Sequence, residues 1–159
     1  SFYLSWAKKE RSLLARLVAI AAACLVLPLA INVDMPHPWF AADAIAPKGW
    51  YLCALLTTYF ATTVPFVKTV IRERNSTPWF VGSITVHVIA TLAMAALAVQ
   101  GYNYWTHVLV WVLLTGRAVA MPLLAKRRGV PWRPRNIGMP EIGYSLLVFA
   151  TLPYGLAFP

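Results

Sequence analysis

Five side chains have types and positions that can do chemistry: Lys68, Arg72, His87, Arg117 and Glu141. Four lie within or at the end of long apolar runs, and Glu141 opens another. Cationic groups facing one cavity can hold a small anion such as a phosphate or carboxylate. Arginine offers a planar fork that matches two oxygens, and lysine adds a point charge. In that reading Lys68, Arg72, His87 and Arg117 contact the anion and Glu141 orients Arg117. Arg117 is the hardest of the five to treat as a bystander. A guanidinium does not lose its proton in proteins, and a charge at membrane depth is costly without a partner.

The same residues have plainer uses. Arg117 and Glu141 can form an ion pair that clips two helices together with no ligand. Lys68 can lay its stem along apolar neighbours and bring its ammonium to an interface. His87 can be a neutral ring bonded to a nearby hydroxyl or carbonyl. Glu141 can complement the positive end of a helix.

The elements that must position these groups are apolar helices. The chain has 159 residues, of which 60% are hydrophobic and 12% charged. Soluble domains average about 25% charged, and a surface helix needs a polar stripe that these runs lack. Five runs approach or exceed the roughly 18 residues that span hydrocarbon: residues 13–33, 50–71, 79–100, 105–125 and 140–158. The expected fold is an all-α membrane protein, a single helical domain of about five transmembrane helices. Pro28 interrupts the first run and leaves the Cys24 carbonyl without its helical donor. Pro65 kinks the second, whose polar side is Thr57, Thr58, Thr62 and Thr63. Asn75-Ser76-Thr77-Pro78 reads as a turn. Pro140 suits a first helical position, with Glu141 just after it.

Lys and Arg alternate between connections. Lys8, Lys9, Arg11 and Arg16 precede or open the first run. Arg72 and Arg74 follow the second, and Lys126, Arg127, Arg128, Arg133 and Arg135 follow the fourth. The other connections carry only Lys48 beside Asp34 and Asp43. With five spans, every basic loop falls on one side, so the amino terminus is cytoplasmic. A rise of about 1.5 Å per residue puts His87 roughly 12 Å and Arg117 roughly 13 Å from that side, with Lys68 roughly 6 Å from Arg72. Glu141 starts the fifth run on the same side, so Lys68, His87, Arg117 and Glu141, from four consecutive elements, converge there.

Several chemistries lack their motifs. No Walker loop, zinc motif or nucleophile elbow is present. The acidic run that holds Mg²⁺–diphosphate in membrane prenyltransferases is missing. No catalytic residue, cofactor or metal is therefore expected. Asp34-x-x-His37 with Asp43 reads as a solvated loop. His87 and His107 differ by roughly 15 Å in depth at helical rise, too far for one haem iron. The net charge of +9 sits in loops, and seven Trp suit interfacial belts better than base stacking, so nucleic acid is not a partner. Cys24 and Cys53 lie inside apolar runs and read as small buried hydrophobes.

Glu10-Arg11-Ser12-Leu13-Leu14, the stretch Phe66-Val67-Lys68-Thr69-Val70-Ile71-Arg72-Glu73-Arg74, His87, Arg117 and Gly138-Met139-Pro140-Glu141 together resemble the YwiC-like integral membrane protein family of bacteria. The resemblance implies a multi-pass protein of the bacterial inner membrane and supports the five candidate positions. It implies no reaction. Family members typically begin with further helices and a His-Gly-x-Trp segment. Its absence leads us to expect that Ser1 opens the carboxyl-terminal part of a longer chain. Ala15-Arg16 stands where members often carry Asn-Asp.

Three functions fit. The first is binding or movement of a small anion or phosphorylated lipid at the basic side. The second is an accessory subunit of a larger membrane complex, for example a respiratory one, with the aromatic-rich loop 36–40 as a contact. The third is a lipid-diphosphate transferase, which the cations permit and the missing acidic motif opposes. The partners expected are the lipid bilayer and, in the second case, other subunits.

Overall fold

The computed structural model describes residues 13–31, 47–130, 132–153 and 155, and every regular element among them is helical. In chain order these are α1 (Leu13–Cys24), α2 (Val26–Ile31), α3 (Pro47–Ile71), α4 (Thr77–Val99), α5 (Trp105–Arg128) and α6 (Pro134–Thr151). Among the described residues, four stretches are long and apolar enough to cross a membrane: Leu13–Ala30, Lys48–Ile71, Thr77–Val99 and Trp105–Arg128. The segment before Leu13, the loop 32–46 with Asp34, His37, Asp43 and the aromatic stretch 36–40, and the end of the fifth expected span lie outside the described residues.

One expectation is met and one needs correction. The first run turns at Leu25 between α1 and α2, as the proline within it implies. Pro28 has no N–H for the Cys24 carbonyl, so the ladder breaks there. The helix expected from Pro140 starts instead at Pro134, with Arg133 extended before it (φ −69°, ψ 143°). Pro134 takes the first-turn place, since a residue before proline avoids the helical region. Pro140 then lies inside α6. Glu141 is about two turns along, beyond the reach of the helix-end charge, which fades within the first turn.

Up to Val64 the described chain belongs to one compact unit, and from Pro65 onward to a second. In the first unit, Ala15 and Cys24 are buried on α1, and Leu52, Cys53, Leu55, Leu56 and Tyr59 on α3. Both cysteines are free thiols.

In the second unit α4 packs along α5, and α5 against α6. The buried stripe of α4 is Ser83, His87, Ala90, Met94 and Ala98, at helical spacing. Its other faces expose Val81, Ile89, Leu92 and Val99. A soluble helix has the reverse pattern. Polar groups inside and apolar groups outside suit lipid as the surrounding solvent. α5 likewise buries His107, Trp111, Leu114, Arg117 and Ala118 while exposing Trp105, Leu109, Val112 and Leu113.

Hydroxyls join the two helices. The Thr91 and Thr115 oxygens lie 2.8 Å apart, and Thr91 also reaches the Trp111 carbonyl at 3.2 Å. The α4–α5 turn closes with Tyr102 N–H donating to Leu97 O (2.8 Å) and Gly101 N–H to Ala98 O (3.1 Å). Gly101 sits at φ 81°, the left-handed residue such a cap needs. Beyond α5, Trp132 Nε1 donates to the Met121 carbonyl at 2.9 Å. Phe66, Val70, Ala118 and Ile137 form the buried core at this end, flanked by Val67, Met121 and Trp132.

Candidate functional site

The core residue Phe66 organises the site. It has no exposed surface and lies immediately after Pro65, inside α3. The Arg117 guanidinium from α5 sits 4.0 Å from the Phe66 ring centre, and 4.7 Å from the ring centre of Tyr144 on α6. Arg117 Nη1 donates to Glu141 Oε1, also on α6. The Arg117 side chain is 3% exposed and that of Glu141 20% exposed. Glu141 and Tyr144 are three residues apart, so one face of α6 presents both. The guanidinium thus meets an opposite charge and two aromatic faces, each a favourable site for a buried cation.

His87 approaches from α4. Its ring meets Phe66 edge-on, with centroids 6.4 Å apart at 74°. His87 Nδ1 lies 2.7 Å from the Ser83 carbonyl, so Nδ1 carries the donated hydrogen. Nε2 then points inward, and neither it nor the Ser83 hydroxyl has a hydrogen-bond partner among the described residues. His87 and Arg117 therefore meet the same Phe66 ring, and Glu141 pairs with Arg117, the three coming from three helices.

Lys68 and Arg72 are not part of that contact set. Residues two apart on a helix do not share a face, so Lys68 leaves α3 away from Phe66. Its Nζ lies 3.5 Å from the centre of the Trp79 ring, at the start of α4. Thr69 fixes this corner by donating to the Pro65 carbonyl at 2.7 Å and reaching the Trp79 carbonyl at 3.2 Å. Arg72 is exposed.

His107 belongs to a different network. Trp111 Nε1 donates to His107 Nε2 at 3.1 Å, so Nε2 is an acceptor and the ring is neutral. His107 Nδ1 then donates to Thr151 Oγ1 at 2.9 Å, and Thr151 donates to the Leu147 carbonyl at 2.8 Å. This chain ties the start of α5 to the end of α6. Each histidine is held by its own partners.

Sequence reasoning missed a second feature, at the basic end. A cleft of about 360 Å³ is lined by Thr69, Val70, Arg74, Asn75, Pro122, Ala125, Lys126, Gly129 and Val130. A smaller one of about 190 Å³ lies against Arg74, Asn75, Thr77, Phe80, Leu123 and Lys126. Arg74, Asn75, Pro122 and Lys126 border both. The signal in the sequence was Arg74 and Lys126 flanking the helix pair. Which of Arg72 and Arg74 faces inward depends on the turn after Ile71, where Glu73 N–H and Arg72 N–H both donate to the Lys68 carbonyl. Phe66 and Tyr144 gave no signal, because an aromatic residue in an apolar run is ordinary. Among the described residues no three His, Cys, Asp or Glu side chains gather as a metal site.

Comparison of the chain with family models, with curated proteins and with solved structures finds no match.

Proposed function

We propose that this is a multi-pass protein of the bacterial inner membrane that binds a small anion or a phosphorylated lipid at its basic end, with that end facing the cytoplasm. The one-sided distribution of Lys and Arg supports the orientation, and the resemblance of residues 66–74, His87, Arg117 and 138–141 to the YwiC-like family supports the setting. The observation that carries the binding reading is a division among the cations. Arg117 is committed to Glu141, whereas Arg74 and Lys126 have no side-chain partner among the described residues and border the same two clefts. The Arg117–Glu141 pair, backed by Phe66, Tyr144 and His87, acts as a clip that holds the end of α3 from Pro65 onward, α4, α5 and α6 in place around the basic rim. Lys68 and Arg72 serve as interfacial anchors.

Thermal unfolding of the protein in a neutral detergent tests this. Phosphate, pyrophosphate, sulfate, citrate and chloride are compared at one ionic strength, beside anionic and zwitterionic lipid. A ligand at a hundred times its dissociation constant stabilises by about 2.7 kcal/mol. Stabilisation that differs among anions at fixed ionic strength is expected. Identical melts across the whole series refute anion binding.

A further inference from the structure

We infer that the ridge formed by Arg74, Asn75 and Lys126 is a phosphate-binding site, and that the phosphate is carried by a lipid headgroup or arrives as the free anion. The inference rests on the reading above and names the place and chemistry within it.

The two clefts share one polar border and differ in their walls. Arg74 supplies a planar fork, Lys126 a compact charge and Asn75 an amide donor. Such a mixed set matches the several oxygens of a phosphate better than a single carboxylate, which one arginine can satisfy alone. Asn75 and both cations have side chains without partners among the described residues, so their donors are available. The larger cleft has room for a small headgroup, and Thr69, Asn75 and Gly129 give it polar edges. The smaller one has an apolar wall of Phe80, Pro122 and Leu123. That wall continues into the lipid-type surface of α5, where Leu123 and Leu124 are exposed. A phosphate held on the ridge can therefore leave a headgroup on one side and an acyl chain on the other.

Arg127 provides the control. It is exposed, neighbours Lys126 in sequence and borders neither cleft. Losing it removes the same charge without removing a donor from the ridge.

The experiment uses the full chain. Inorganic phosphate is titrated into protein held in phosphatidylcholine nanodiscs. Short-chain phosphatidylglycerol is titrated in neutral detergent. Wild type, Arg74→Gln, Lys126→Gln and Arg127→Gln are compared, with helix content and monodispersity checked for each. Arg74→Lys is added because it keeps the charge and loses the fork. A charge-assisted hydrogen bond lost from the site weakens binding at least about tenfold. The expected result is that loss for Arg74→Gln and Lys126→Gln, a smaller one for Arg74→Lys, and less than about threefold for Arg127→Gln. Loss in the phosphatidylglycerol arm alone makes the ligand a lipid headgroup, and loss in the phosphate arm makes it the free anion. Equal weakening by Arg127→Gln overturns the inference, because binding would then follow net charge. Binding unchanged by Arg74→Gln and Lys126→Gln also overturns it, while leaving anion binding elsewhere intact. Absence of binding in both arms for wild type overturns the inference, and the reading beneath it fails separately if the anion series also leaves the melts unchanged.

Discussion

Replacing Glu141 with Gln isolates the charge of the Arg117–Glu141 pair. The shape stays nearly the same, but the guanidinium loses its counter-charge. The Arg117 side chain is 3% exposed and cannot reach water without unpacking from Phe66 and Tyr144. It also cannot neutralise itself. Removing one partner from a buried pair costs about 3–5 kcal/mol. The 20% exposure of Glu141 and the two aromatic faces place this case near the lower end, at about 3 kcal/mol. Arg117→Leu should cost less, about 1–2 kcal/mol, because a lone carboxyl can take up a proton and a lone guanidinium cannot release one. The double variant Arg117→Leu with Glu141→Leu should fall within about 1 kcal/mol of wild type, since apolar replacements of a whole buried pair are often neutral. With Glu141→Leu alone as the matching single, which leaves the same lone guanidinium and should also cost about 3 kcal/mol, the cycle predicts a coupling of about 3 kcal/mol between the two positions. Unfolding in mixed micelles of dodecyl maltoside and sodium dodecyl sulfate, followed by circular dichroism, measures wild type and the four variants. If Glu141→Gln stays within about 0.5 kcal/mol of wild type, or if the two single effects simply add, the pair is not a clip.

Phe66→Leu keeps the core apolar but removes the ring face under Arg117, and should cost about 1–2 kcal/mol in the same assay; no change would mean that the contact at 4.0 Å contributes nothing. Trp111→Phe leaves His107 Nε2 buried without its donor, so a loss of about 1–3 kcal/mol is expected, with the imidazole resonances reporting a changed tautomer or protonation state by NMR. Gly101→Ala forces a side chain into φ 81° and should cost about 1–2 kcal/mol, whereas Gly116→Ala, mid-helix in α5 with open space around it, should be neutral or stabilising by up to about 1 kcal/mol.

The helices were legible wherever a long apolar run ended in charge or a turn. The starts of α4 and α5 follow Ser76 and Tyr104, close to the expected positions 79 and 105. The start of α6 was not legible, because Pro134 and Pro140 both suit a first helical turn. Burial of Ile137 in the core decides for the earlier one, and that packing has no local sequence mark. The Arg117–Glu141 pairing could be read because few acids lie near in sequence. Phe66 could not, since its value comes from a partner on another helix. Lys68 meets Trp79 and not Phe66, because position along a helix says nothing about which way a side chain leaves it.

That angle links the buried clip to the basic rim. Phe66 and Val70 are four residues apart and share the face of α3 that enters the core. Lys68 lies between them and must leave on another face, where Trp79 meets it. Trp79 is held there by the reach of Thr69 to its carbonyl, at 3.2 Å. Thr69 also borders the larger cleft, and the turn it braces carries Arg74 and Asn75. Thr69→Val keeps the shape of the side chain and removes the hydroxyl. The stability cost should be small, about 1 kcal/mol, because the net value of one hydrogen bond is of that order. The effect on the rim should be larger in proportion. Arg74 and Lys126 come from different helices, and a loosened α3–α4 turn lets the first drift from the second. Phosphate binding should therefore weaken several-fold in Thr69→Val although no charge has changed. If binding stays at the wild-type level in Thr69→Val while Arg74→Gln abolishes it, the rim is ordered by something other than this corner, and the clip and the cleft are independent parts of the fold.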